Sequence, residues 1–346
     1  MFLLGRLFVF FTMMSIPTFV TDQPLVVLGA TGRLASEMTF YALLERFSPH
    51  IVLCASSMER LQGLKDEIEE SGFGDIQIDL SLSIPEAVAN GGYILFAKSV
   101  PGGAKTREEM LLQNAPFALE AGRAIANVKD KVTRVVCVSN PSDLMGLMLL
   151  VHSELHPEKV MSLSALDTER FRRTLKRRYM VKEDDLESVY TLGSHDTLMA
   201  PMLDMARIKG ELLNLSSGEK ETIVSEVRRS GIGIYKQRGQ TAYQSPAIHC
   251  LRILMATDEH PFIVPTARYH HSTRYPYTFG SLLTRVDSKG CHHLPCCGSR
   301  EDIVRLDGAF ESIRVMRDRL IEEGFLPATE EWGGVLQEVK ELVCVE

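Results

Sequence analysis

The sequence predicts an α/β protein: a doubly wound parallel sheet followed by an α+β second domain. Three observations predict it. Short apolar runs alternate with longer stretches of helical spacing from residue 25 to residue 166. A glycine-containing turn joins the first of those runs to the first helical stretch. Beyond Asp167 the alternation stops, and long helices flank aromatic, strand-like pieces.

The runs "LVVL" (25–28), "IVLC" (51–54), "IQIDL" (76–80), "YILFA" (93–97), "VVCV" (135–138) and "VMSLSAL" (160–166) are β-branched or apolar and short enough for buried strands. Between them, segments such as "ASEMTFYALLERF" (35–47) and "SMERLQGLKDEIEESG" (57–72) carry helical spacing. Strands alternating with helices of this length make βαβ units and a parallel sheet. In the second half, helices are expected around 217–236, 245–256 and 300–323, with strands within 261–294. The expected division is an apolar extension at 1–21, an α/β domain with the doubly wound sheet at 22–161 and an α+β domain at 162–346. The terminal "VLQEVKELVCVE" spaces Val335, Leu336, Val339, Leu342 and Val343 as one helical stripe, which predicts a docking helix.

At 346 residues, with 45% hydrophobic and 24% charged residues, the chain has the composition of an ordinary globular protein with a substantial core. A formal charge of −7 argues against nucleic acid or anionic lipid as the main partner. The one basic run, "RFRRTLKRRY" at 170–179, reads mostly as a solvated helix face. Seven cysteines, with Cys54 and Cys137 inside apolar runs, predict reduced, buried thiols and no disulfide framework. In "CHHLPCC" (291–297) Cys291 and His293 fall on one face of a predicted hairpin strand, and no metal site is expected there. "MFLLGRLFVFFTMMSIPTFV" resembles a secretory signal but lacks a small-x-small cleavage site. It reads as an extension upstream of a start at Met13 or Met14, and a cytoplasmic protein is expected.

The turn "LVVLGATGRLASEM" carries the first chemistry. Gly29 permits the tight turn, Gly32 lets backbone N–H groups approach a pyrophosphate, and Ala35 lets the helix lie close to the sheet. This is the pattern of a Rossmann dinucleotide site, with Thr31, Arg33 and Leu34 beside the phosphates at the helix N-terminus. Short-chain reductases and epimerases share the G-A-T-G string but use a Tyr-x-x-x-Lys pair, and none stands in a suitable place here. At the end of the second run, where a carboxylate would accept the ribose hydroxyls of NAD, the chain has Ala55 and Ser56, then Ser57 and Arg60. NAD and NADP both stay open. The bland reading makes Ser57 an N-cap and Arg60 a surface residue.

Six stretches in order, "GATGRLA", "TREEMLLQNA", "SNPSDLM", "SALDTERFR", "LGSHDTLMAP" and "GQTAYQSPA", resemble the lactate/malate dehydrogenases from about residue 24 to 325. "GGAKTREEMLLQNA" and "GQTAYQSPA" look especially like a divergent, malate-dehydrogenase-like branch in bacteria. The resemblance implies a 2-hydroxy acid dehydrogenase, with malate and oxaloacetate favoured, assembled as a homodimer or homotetramer. It implies His195 as proton donor and acceptor, Asp167 as the anion that orients it, and Arg170 as the clamp on the substrate carboxylate. Arg107 matches the arginine that polarises the substrate carbonyl, and Asn140 the asparagine that bonds the reacting oxygen. Asn114 and Ser139 are expected at the cofactor, and Lys105, Thr241 and Ser245 around the substrate.

Two departures stand out. Gly102 occupies the place of the arginine that pairs with the second carboxylate of malate, leaving Lys105 as a point charge nearby. Asp196 and Thr197 follow His195, where the family has glycine and then an acidic residue. A second reading is therefore a dinucleotide-binding homologue that serves as a sensor or partner protein without turnover.

Overall fold

The computed structural model describes residues 18–100, 102, 104–333, 336 and 342–345. Most of the apolar extension, residues 1–17, lies outside the described residues.

The first half is built as its alternation dictates. In chain order come β1 (Leu25–Leu28), α1 (Arg33–Leu44), β2 (His50–Cys54), α2 (Met58–Glu70), β3 (Gln77–Ser81), α3 (Ile84–Val88), β4 (Gly92–Phe96), α4 (Arg107–Ala126), β5 (Val132–Cys137), α5 (Ser142–Ser153), β6 (Val160–Ser162) and α6 (Ala165–Tyr179). The six strands are parallel in the order β3-β2-β1-β4-β5-β6, and the order reverses between β1 and β4. Ligands of such sheets bind outside the strand ends at that reversal. All four residues of β1 are buried, as a strand covered by helices on both faces requires.

Short strands β7 (Leu186–Glu187), β8 (Thr191–Leu192), β9 (Ala200–Pro201), β10 (Arg207–Ile208) and β11 (Glu211–Leu212) open the second half. They lead into α7 (Ser217–Arg238), α8 (Gln244–Met255), β12 (Phe262–His270), β13 (Thr278–Asp287), β14 (Gly290–His293), β15 (Cys296–Gly298), α9 (Arg300–Glu322) and β16 (Val343–Val345). The long helices and the hairpin strands fall where helical spacing and aromatic runs put them. β12, β13 and β14 are antiparallel and extend the main sheet to nine strands, joined to β6 through Ala267 and Ser162. The sheet thus runs on through the boundary expected at 161/162.

One apolar cluster on the sheet unites β1, β4 and β5 with α4, α5 and α9 through residues such as Phe96, Leu111, Leu147 and Phe310. The other packs α1, α2 and α8 on the sheet through Met38, Leu61 and Cys250. A third, smaller cluster holds α6 to α7 through Phe171, Leu175, Ile223 and Val227.

Two expectations are corrected. Cys297 and Cys344 form a disulfide, while Cys54, Cys137, Cys250, Cys291 and Cys296 are free and buried. Val343, placed on a helical stripe, lies instead in β16, which pairs in parallel with β15. Pairing with the edge of β15 satisfies backbone groups that a helix would have satisfied internally, and local spacing carries no sign of that partner. Val335 and Val339 lie outside the described residues, Leu336 is buried, and Leu342 is half-buried. Cys291 and His293 lie on the predicted hairpin strand β14. Among the described residues no cluster of three or more His, Cys, Asp or Glu side chains could hold a metal ion. No helix of the described residues is long and apolar enough to cross a membrane.

Candidate active site

A cleft of about 550 Å³ opens at the C-terminal ends of the parallel strands. Gly32, Arg33 and Leu34 line it after β1, Ser99 and Val100 after β4, Ser139 and Asn140 after β5, and Leu163 and Leu166 after β6. α4 adds Met110, Gln113 and Asn114, and the second half adds His195, Gly231, Thr241, Tyr243 and Pro246. Arg170 completes the wall beside His195.

The phosphate end is shaped by backbone. Gly29 has a φ of +90°, and a Cβ there would stand 2.7 Å from the Lys98 nitrogen. Only glycine fits that turn. Gly29 and Ala30 both donate their N–H groups to the Cys54 carbonyl, which ties the turn to the end of β2. Gly32 is the N-cap of α1 and has no side chain to cap it, so the first turn of the helix offers its N–H groups to an anion. The cradle at Gly29 and the long cleft beyond it fit a dinucleotide.

Ala55 and Ser56 follow β2 beside this turn, without lining the cleft. Ser57 is the N-cap of α2, its Oγ accepting from the Arg60 N–H at 3.3 Å, and Arg60 is exposed. Thr31 is half-buried in the turn, and Arg33 is exposed, donating to Gln240 Oε1 at 2.6 Å. Asn114 is buried and spends both ends of its amide on the backbone. Its Oδ1 accepts from the Val100 N–H at 2.8 Å, and its Nδ2 donates to the Asn140 carbonyl at 2.7 Å. It thereby sets the spacing of the chain ends after β4 and β5. Ser139 does the same through a 2.7 Å hydrogen bond to the Lys98 carbonyl.

The reacting end joins two distant segments. Asp167 stands in the first turn of α6, where the cap residue is Ser164, so its carboxylate is free for other work. Its Oδ2 lies 2.6 Å from Nδ1 of His195, and its Oδ1 accepts from Arg170 Nη1 at 2.7 Å. Asp167 is 1% exposed, whereas the His195 side chain is 21% exposed and reaches the cleft. The negative charge of Asp167 raises the imidazole above its ordinary 6.5, against the opposing effect of burial. Arg170 approaches Gly231 of α7, where a Cβ would come within 3.0 Å of Nη2, so the missing side chain makes room for the guanidinium.

Arg107 is the first residue of α4 and does not line the cleft. Its Nη1 is 2.8 Å from Asp196 Oδ2 and donates to the His195 carbonyl at 3.2 Å. Its Nη2 lies 3.5 Å from Asp143 Oδ2. Lys105 is exposed, its N–H bonded to Glu109 Oε2, and like Ser245 it does not line the cleft.

Sequence reasoning missed Asp143 and Gly231. Asp143 is fully buried at the start of α5 and accepts the His195 backbone N–H at 2.7 Å. Burial pushes its carboxyl up to about 6, although Arg107 pulls the other way. Its position within "SNPSD", three residues after Asn140, was the available signal. The basic run beyond Arg170 is a solvated face, with Arg172 and Lys176 both paired to Glu183.

A family model described as "lactate/malate dehydrogenase, NAD binding domain" matches residues 24–162. The malate dehydrogenase of Helicobacter hepaticus is 23% identical over 312 residues, covering 86% of this chain and 98% of that protein. An L-2-hydroxycarboxylate dehydrogenase (NAD(P)(+)) of Methanocaldococcus jannaschii is 24% identical, over 66% of this chain and 75% of that protein. Among solved structures, Trichomonas vaginalis lactate dehydrogenase in complex with NADH and oxamate superposes with a TM-score of 0.78 at 18% identity, covering 87% of this chain and 98% of that one. Plasmodium falciparum malate dehydrogenase gives 0.77 at 19% identity, with 87% and 99% covered. The Rossmann half is thus similar to the NAD-binding domain of the lactate/malate dehydrogenases, their fold is shared along most of the chain, and Asp167 meets His195 and Arg170 beside the cleft.

Proposed function

We propose that the protein is an NAD(P)-dependent dehydrogenase that interconverts 2-hydroxy and 2-keto acids, with malate and oxaloacetate the favoured pair. The observation that carries this reading is the Asp167–His195 contact at the mouth of a dinucleotide-shaped cleft, with Arg170 beside it. When bound, the nicotinamide cofactor supplies or accepts the hydride. Everything else falls to the chain's own residues. Arg170 binds the substrate carboxylate with the guanidinium edge that Asp167 leaves free. With Nδ1 engaged by Asp167, His195 turns Nε2 to the reacting oxygen, giving a proton during reduction and taking one during oxidation. Asp167 stabilises the imidazolium that forms. Asn140 donates to the same oxygen, a role its position in the cleft lining supports, and Leu163, Leu166 and Val138 exclude water around it.

The end of β2 carries no carboxylate, which supports either cofactor. Assembly as a homodimer or homotetramer and a cytoplasmic location belong to the same proposal, on the strength of the family resemblance. One observation favours the second reading, a homologue without turnover: Arg107 is engaged by Asp196 and not by the cleft. A single assay decides between them. Purified protein is mixed with NADH or NADPH and a panel of oxaloacetate, pyruvate and larger 2-keto acids, while cofactor binding is followed by fluorescence. Oxidation of the nucleotide with a member of the panel is expected. Cofactor binding without oxidation by any of them would leave the second reading standing.

A further inference from the structure

Arg107 rises from α4 on the helical face that also carries Met110, Gln113 and Asn114, all three of which line the cleft. Its guanidinium nevertheless turns away from them. Nη1 is served twice, by Asp196 Oδ2 and by the His195 carbonyl, while Nε and Nη2, the latter 3.5 Å from Asp143 Oδ2, are buried with no hydrogen-bond acceptor among the described residues. A guanidinium has five N–H groups to satisfy, so this resting position serves it poorly.

Asp196 is in the opposite condition. Its Oδ1 accepts from Ser194 Oγ and from the Leu198 N–H, both at 2.6 Å. Its Oδ2 accepts from Ser312 Oγ on α9 at 3.0 Å as well as from Arg107. The aspartate is a fixed post braced from its own loop and from a second element. The arginine is an arm held to that post through one nitrogen.

We propose that Asp196 is a positioning residue that holds Arg107 off the cleft, so that an arriving 2-keto acid meets Arg170 first and gains Arg107 only by competing with Asp196 for the guanidinium. The inference rests on the dehydrogenase reading and goes beyond it, because it assigns to Asp196 a share of the substrate affinity. The competing groups are both anionic or partly so: the aspartate on one side, the substrate's carbonyl oxygen or second carboxylate on the other. Whatever the substrate gains from Arg107 is reduced by the contact that Asp196 loses. With Gly102 supplying no side chain, Arg33 and Arg170 are the arginines that line the cleft among the described residues, and Arg33 stands at its phosphate end.

The test compares the whole protein with Asp196→Asn, Arg107→Leu and the double variant. Asparagine keeps the Oδ1 acceptor for Ser194 and Leu198 and removes the charge. KM for oxaloacetate and the Kd of oxamate for the NADH complex should fall about three- to tenfold in Asp196→Asn, with the larger part of the change in KM and not in kcat. Arg107→Leu should abolish that gain in the double variant. A folded Asp196→Asn protein with unchanged KM and oxamate Kd, or a gain that persists without Arg107, overturns the proposal. If Asp196→Asn fails to fold, Ser312→Ala loosens the same post and should lower KM in the same direction; no change there overturns it equally. A readout free of turnover is the rate at which phenylglyoxal labels Arg107, followed by peptide mass spectrometry. Faster labelling in Asp196→Asn supports the tether, and equal rates refute it. A wild-type protein that binds NADH but neither reduces nor binds any 2-keto acid would sink the dehydrogenase reading alone, and the labelling rates would still decide the tether.

Discussion

His195 and Asp167, 28 positions apart in the chain, meet with Nδ1 of one 2.6 Å from Oδ2 of the other. One comes from the loop after β8 and the other from the first turn of α6, so the contact exists only in the folded protein. It fixes which imidazole nitrogen faces the cleft and favours the charged form of the ring.

The first prediction concerns that charge. His195 is raised above 6.5, chiefly by Asp167, and reduction of a keto acid consumes the imidazolium proton. Reduction should therefore hold up below the raised value and decline as pH rises through it, while oxidation, which needs the neutral ring, runs the other way. In Asp167→Asn the alkaline limb of the reduction profile should move down, and kcat should fall on the order of a hundred- to ten-thousand-fold. His195→Asn should abolish turnover with cofactor affinity nearly unchanged. Steady-state rates from pH 5 to 9, with nucleotide binding by fluorescence, check both variants. A large loss of cofactor binding in His195→Asn would contradict its assigned role.

A second prediction turns on Gly231. It sits inside α7, where glycine costs about 1 kcal/mol relative to alanine. Its Cβ would press on Arg170 Nη2 at 3.0 Å. Gly231→Ala should therefore leave Tm unchanged or raise it, while KM for the acid rises because Arg170 is displaced. Arg170→Lys should raise KM further, by about ten- to a hundredfold, since an ammonium cannot form the parallel pair of hydrogen bonds. Falling KM in Gly231→Ala would show that Arg170 does not bind substrate in the position seen here.

Asp143 supplies a stability prediction. Burial raises its carboxyl from the ordinary 3.8 to about 6. A group whose folded value is raised contributes stability that is fully present below its unfolded value, near 4, and lost as pH rises through 6. A shift of that size is worth about 3 kcal/mol. Relative to Asp143→Asn, the wild type should thus be more stable by about that amount at pH 4 than at pH 7. The part of the His195 shift that Asp167 causes, the largest, is common to both proteins and cancels in the difference. Urea unfolding of the two proteins at both pH values measures it, and parallel pH curves would refute it.

Much of the fold could be read from the chain because its signals are local. Among the six parallel strands, runs such as "LVVL" and "IVLC" are buried on both faces, and the site residues sit at the ends of such runs. Asp167, Arg170 and His195 were legible as an ordered set. The illegible features are those created by contact between remote segments. Nothing about "CCG" and "VCV" announces that Cys297 and Cys344 become neighbours on paired strands. Asp143 reads as a helix-start carboxylate, and its hold on the His195 N–H depends on a loop 52 positions away. Arg107 reads as a substrate ligand, yet its partner in the fold is the substituted Asp196.

Arg134 is the largest of these surprises and the last prediction. It lies in β5, only 2% exposed, in a run otherwise made of valine, threonine and cysteine. Among the described residues its guanidinium meets no carboxylate. Nη1 donates to the carbonyls of Ile253 at 2.5 Å and Leu254 at 3.2 Å, and Nη2 to that of Asp287. Ile253 and Leu254 are in the final turn of α8, whose carbonyls have no partner within the helix, and a cation there also suits the helix dipole. Arg134 thus ties β5, α8 and β13 together from inside. Arg134→Met keeps most of the volume but leaves several buried carbonyls without donors, at about 1–3 kcal/mol each. The variant should lose on the order of 3 kcal/mol in urea unfolding. Since α8 and the residues just before it carry Tyr243 and Pro246 into the cleft wall, KM for the cofactor should rise as well. A variant as stable as wild type would mean that the end of α8 finds other donors once the guanidinium is gone.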